Sequence, residues 1–149
     1  MKPFRFPLER VLEWRKEQAE RERAALRLLA GERDAVLAHR HSLEAQRAEE
    51  ERALLNDAVL DVSRLAALET WRAWVRGETA RLEIALREVE ERISAQRQRV
   101  VEAERKVRLL ERLRDKSFRN WRLALDKELE NFAAEAYLMR WKSRSFTAH

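Results

Sequence analysis

No proline follows Pro7, and positions 8–149 contain only two glycines, Gly31 and Gly77. Average usage would place roughly ten glycines and seven prolines in a chain of this length. Tight turns need residues that accept their dihedral angles, so sheets, barrels and doubly wound folds are excluded and long helices remain. Charged residues make up 40% of the chain, a fraction that also fits disorder. Against disorder, 45% of residues are hydrophobic and 32 basic side chains nearly balance 27 acidic ones; such a chain has apolar surface to bury. The absence of cysteine excludes disulfides, thiolate metal sites and a cysteine nucleophile. No apolar run reaches the roughly 18 residues a membrane span needs. Met1-Lys2 is followed by no signal-peptide core, so the expected location is the cytoplasm.

The hydrophobic period locates the helices. Leu82, Leu86, Val89, Ile93, Gln96, Val100, Ala103, Val107 and Leu110 follow alternating steps of four and three. This is the 3.5-residue repeat of a helix carrying a seam for a partner helix. Glu83 and Arg87, Glu88 and Arg92, and Glu104 and Arg108 stand four apart between the seam positions. Each such pair adds only about 0.2–0.5 kcal/mol to a solvated helix. The first half carries a weaker seam of Leu26, Leu29, Val36, Leu43 and Leu54, with Arg33, Arg40, Arg47 and Glu50 in other seam slots. Arginine stems can lie along such a seam while their heads reach water. Gly31 should cost this helix about 1 kcal/mol relative to alanine.

Between the seams lies Asn56-Asp57-Ala58-Val59-Leu60-Asp61-Val62-Ser63, the densest cluster of residues that favour caps over helix interiors. The expected fold is therefore all-α: a long two-helix antiparallel coiled-coil hairpin forming a single domain, with the second helix longer than the first. Helix one runs over about 8–55, the turn over about 56–63 with Asp61 or Ser63 as N-cap, and helix two over about 64–140. At 1.5 Å per residue the helices span roughly 70 Å and 115 Å. Leu8 should lie opposite a residue near 110, leaving roughly thirty residues of helix two overhanging. The overhang is aromatic, with Phe118, Trp121, Phe132, Tyr137 and Trp141, and the tail 141–149 is expected to fray.

Charge is unevenly placed. Positions 1–60 hold 12 basic and 12 acidic residues, whereas 97–122 hold ten basic and four acidic. That basic stretch suits an acidic partner.

The run Phe4-Arg5-Phe6-Pro7-Leu8-Glu9-Arg10-Val11-Leu12-Glu13-Trp14-Arg15-Lys16 resembles the opening of the flagellar export protein FliJ family. Leu109-Leu110-Glu111-Arg112-Leu113-Arg114-Asp115-Lys116, with Trp121 and the stretch around 128–135, is similar to that family's closing pattern; the tail departs from it at Leu129-Glu130-Asn131. The resemblance implies a stalk like the gamma subunit of rotary ATP synthases, whose paired termini dock in or near the pore of a hexameric type III export ATPase. It also implies contact with the membrane-embedded export gate and the escort of export chaperones. On this reading Phe4, Phe6, Val11 and Trp14 pack beside the second helix near the termini, and Arg108, Arg112 and Arg119 meet acidic pore loops. Trp71 and Trp74, three apart and so on one helix face, either close the hairpin end or contact the export gate.

Other readings remain open beside this one. A virulence secretion stalk would share the architecture. A generic coiled-coil scaffold would pair two chains through their second helices in place of the hairpin, although a monomer is favoured over a homodimer. Twenty-six of the 32 basic residues are arginine, which suits nucleic acid, but interleaved acidic residues lower the field a phosphate backbone would feel; no nucleic acid is expected. A basic amphipathic helix over 97–122 would permit peripheral membrane association. His39 and His41 are two apart on a helix and point to different faces, so no metal is expected. No phosphate-binding glycine loop and no nucleophile motif occurs, so neither cofactor nor enzymatic activity is expected.

Overall fold

The computed structural model describes residues 2–56 and 61–147. It contains two helices, α1 over Glu9–Leu55 and α2 over Val62–Thr147, of 47 and 86 residues. They form a two-helix hairpin whose second helix is the longer.

Local chemistry sets the helix ends. Pro3 and Pro7 keep the first residues out of helix, and α1 starts as soon as they are passed. The Glu9 amide donates to the Phe6 carbonyl at 3.2 Å and the Leu12 amide to the Leu8 carbonyl at 2.9 Å. Glu9 lies in the first turn and Arg52 in the last, each at the end of the helix dipole that favours its charge. Of the two N-cap candidates for the second helix, Asp61 occupies the position: it precedes Val62, its carbonyl accepts from the Leu65 amide at 3.1 Å, and its carboxylate accepts from the Ser63 hydroxyl at 2.9 Å. The reversal expected over 56–63 otherwise falls largely on 57–60, outside the described residues.

The fraying expected after position 140 is not found; α2 continues to Thr147. Nothing in that stretch interrupts a helix. Its hydroxyls also bond back one turn, Ser145 Oγ to the Lys142 carbonyl and Thr147 Oγ1 to the carbonyls of Ser143 and Arg144, at 3.0–3.1 Å.

The chain divides into two compact units. In the unit formed by Ala19–Glu102, the buried side chains are Ala19, Leu43, Val75, Leu82, Val89, Ile93, Val100 and Gln96. The α2 residues fall on the expected seam, continued one heptad earlier by Val75. Residue numbers rise along α1 as they fall along α2: Glu22 meets Gln96, Glu32 meets Arg92 at 3.5 Å and Glu51 meets Arg72 at 3.9 Å. That order defines antiparallel pairing. Arg33 and Arg40 are half-buried in their seam slots, but Arg47 and Glu50 are exposed and Ala48 and Glu51 turn inward instead. A straight helix drifts about 20° per heptad against a 3.5 repeat, and beyond Leu43 no large apolar residue holds the phase until Leu54.

In the unit formed by Met1–Gln18 and Ala103–His149, Phe6 and Leu12 are buried, and Glu9 meets Arg114 at 3.2 Å. Glu9 thus lies about one turn further along α2 than the expected pairing of Leu8 with a residue near 110. The overhang is correspondingly shorter, because the extended residues before α1 also run along the second helix.

Candidate functional site

The N-terminal segment and the part of α2 it covers hold the most chemically distinctive surface. Pro3 and Pro7 keep the opening residues extended, and successive side chains of extended backbone alternate sides. Phe4 packs into α2, with its ring 5.2 Å from that of Phe118 edge-on and 5.9 Å from that of Trp121. Phe118 and Trp121 stand three apart on α2 and stack at 5.8 Å. The Trp121 indole N–H donates to the Lys2 carbonyl at 3.1 Å. Two aromatic pairs across to α2, each worth about 0.5–1.5 kcal/mol beyond simple burial, and one hydrogen bond clamp a segment that has no helix of its own. A shallow cleft opens beside the clamp between Lys2, Phe4, Arg5, Ser117 and Trp121.

Sequence reading placed Phe118 and Trp121 on the overhang and missed this role. The available signal was Phe-x-Phe held between two prolines: a short extended apolar segment needs a surface to cover it.

Of the residues proposed to meet an ATPase, Phe4 packs against Phe118 and Trp121 of α2 and Phe6 is buried. Val11 and Trp14 are both largely exposed, at 42% and 50%. Leu12 is fully buried and fixes the inward face. At about 100° per residue, Trp14 points nearly opposite to it. Trp14 instead lies under the Arg15 guanidinium, 4.7 Å from the ring centroid. Arg108, Arg112 and Arg119 are all exposed. Their spacing of four and seven residues aligns them in one stripe, on the side of α2 away from its half-buried seam residues Val107, Leu110 and Ser117.

In the other unit, Trp71 and Trp74 separate. Trp71 is half-buried beside Ala53, Leu54, Ala67 and Leu68, so it closes the hairpin near its turn. Trp74, rotated by about 60° on the helix, is 55% exposed and leaves a large aromatic surface outward. The shared face expected from their spacing therefore divides into one packing residue and one surface residue.

Among the nine seam positions of α2 from Leu82 to Leu110, the one polar side chain is built in. Gln96 is 8% exposed; its Nε2 donates to the Glu22 carbonyl at 2.9 Å and to the Glu22 carboxylate. A buried polar seam residue restricts a coiled coil to the register that satisfies it. Nearby, Glu20 accepts from Arg27 at 2.8 Å and from Arg23 at 3.1 Å. The Arg27 guanidinium first, and Arg23 second, hold the Glu20 carboxyl below the usual glutamate range.

Among the described residues no group of acidic or histidine side chains is arranged to hold a metal, and no helix is long and apolar enough to cross a membrane. No protein-family model, curated protein or solved structure matches the chain.

Proposed function

We propose that this chain is a non-enzymatic stalk of a flagellar type III export apparatus, cytoplasmic and peripherally held at the inner membrane. It docks on a hexameric export ATPase through its paired termini, links that ATPase to the export gate and escorts export chaperones. The observation that carries this reading is the stripe of Arg108, Arg112 and Arg119, exposed on the unit whose N-terminal aromatics are clamped. It combines a basic face for acidic pore loops with an anchored apolar end, at the residues where the resemblance to the FliJ family lies. The helical hairpin supports the same reading, since a stalk must be stiff and this one is proline-free along both helices. The exposed Trp74 supports an export-gate contact, because tryptophan is favoured where a few residues dominate binding.

The experiment is hydrolysis by a purified type III export ATPase with and without this chain. The chain should raise the rate and promote the ring. Arg108→Glu, Arg112→Glu and Arg119→Glu together should remove most of that increase, since opposed charges lower both encounter rate and affinity. Full stimulation by the triple variant would end the proposal. Salt-sensitive DNA binding without any ATPase effect would favour a nucleic-acid role.

A further inference from the structure

Beyond Trp121 the seam of α2 changes phase. Trp121, Leu125 and Leu129 follow at steps of four, and then Phe132, Ala136, Met139, Ser143 and Phe146 resume alternating threes and fours. A repeated step of four is a stutter, which rotates the seam to a new face without ending the coiled coil. Leu129, Phe132, Met139 and Phe146 on this new seam are exposed, Phe132 at 71% and Phe146 at 88%. Solvated helix faces are normally polar. Here the apolar residues sit at pairing positions.

We propose that this segment pairs with the same segment of a second copy, antiparallel, to make a homodimer. Charge complementarity names the occupant. Acidic residues flank the first half of the seam, at Asp126, Glu128, Glu130 and Glu135, and basic residues the second half, at Arg140, Lys142 and Arg144. In the antiparallel register Leu125 meets Ser143 of the second copy, Leu129 meets Met139, and Phe132 meets Ala136, so large side chains face small or flexible ones. The same register sets Asp126 against Arg140 and Glu128 against Lys142, each twice by symmetry. One unfavourable pair, Glu135 against itself, falls near the two-fold axis. A parallel pair would stack Phe132 on Phe132 and Ala136 on Ala136, and would match only Glu135 with Arg140 across the seam. Flanking charges of this kind set the orientation of coiled coils. Three heptads make a short interface, so the dimer should form at roughly 10 µM, with the monomer dominant below that. The inference rests on the seam and its charges and holds or fails independently of the export role.

The test is sedimentation of the full chain between about 1 and about 200 µM, with three charge substitutions, two of them also combined, and two introduced thiols. Asp126→Arg and Arg140→Asp should each weaken dimerisation about tenfold, and together they should restore it. Glu135→Gln should tighten it about threefold. Because the chain has no cysteine, a single new thiol is unambiguous. Ala133→Cys lies beside the two-fold axis and should give a covalent dimer on oxidation, whereas Phe146→Cys should not. A chain that stays monomeric throughout and fails to crosslink overturns the proposal, as does crosslinking through Phe146→Cys, the signature of a parallel pair. Failure of the charge reversal to rescue would equally overturn the register.

Discussion

Replacing Gln96 separates what it contributes by hydrogen bonding from what it contributes by filling the seam. Its amide makes one bond to a backbone carbonyl and one to a carboxylate. Typical net values are about 1 kcal/mol for the first and about 2 kcal/mol for the second. Gln96→Leu loses both, but keeps the side-chain volume and replaces a buried amide with apolar surface, which returns roughly 2 kcal/mol. The net loss should be about 1 kcal/mol. Gln96→Ala loses the same bonds, gains no apolar surface and leaves a gap, so its cost should be about 3–4 kcal/mol. Urea denaturation followed by helical circular dichroism measures both. A double-mutant cycle with Glu22→Gln should show coupling of about 1 kcal/mol. If the cycle shows no coupling, the bonds to Glu22 do not stabilise the pair and the register argument fails with them; if Gln96→Ala is no worse than Gln96→Leu, the side chain contributes nothing by filling the seam.

Four further outcomes follow from the structure. A Cβ added at Gly31 or Gly77 meets open space in a helical backbone, so Gly31→Ala and Gly77→Ala should each stabilise by about 0.5–1 kcal/mol in the same assay. Trp121→Ala removes two ring contacts and the bond to Lys2; amide exchange near positions 2–8 should speed up while the centre of α2 stays protected. Trp71→Ala should destabilise by about 2 kcal/mol and Trp74→Ala by less than about 0.5 kcal/mol, and equal losses would contradict their different burial. The depressed Glu20 carboxyl adds stability above its unfolded value that disappears as pH falls through the lower folded value; its carbon-13 titration should have a midpoint below the ordinary glutamate range and return toward it in Arg27→Ala.

The hairpin was readable because its physics is periodic. Steps of four and three from Leu82 to Leu110 specify a buried face with no knowledge of the partner, and all nine positions are buried or half-buried. Where periodicity weakens, reading fails. Arg47 and Glu50 fit the spacing by number, but with no large apolar residue between Leu43 and Leu54 the helix phase drifts and Ala48 and Glu51 turn inward instead. The aromatic clamp was hidden for a different reason. Phe4 and Trp121 are far apart in sequence and belong to an extended segment and a helix, and no single repeat describes such a pair. Trp14 shows that an aromatic residue near a packed end need not join the packing: its angle from Leu12 decides, and it points away.

The same regularity obscures function. On a two-helix pair most positions off the seam are solvated, so exposure alone cannot separate a partner contact from an ordinary helix surface. Information lies in departures from the rule, and these are of two kinds. Trp74 is a large aromatic group off the seam, where a charged residue would serve solubility better. Leu129, Phe132, Met139 and Phe146 are the reverse: they occupy seam positions yet are exposed among the described residues. The first departure suits a local contact made by one residue. The second repeats over three heptads and therefore suits only a helical partner with a matching period. Alanine at Trp74 should therefore abolish one interaction sharply, whereas alanine along the distal seam should weaken binding in increments. A distal seam in which one alanine abolishes all association would show that it binds through a pocket rather than a paired helix.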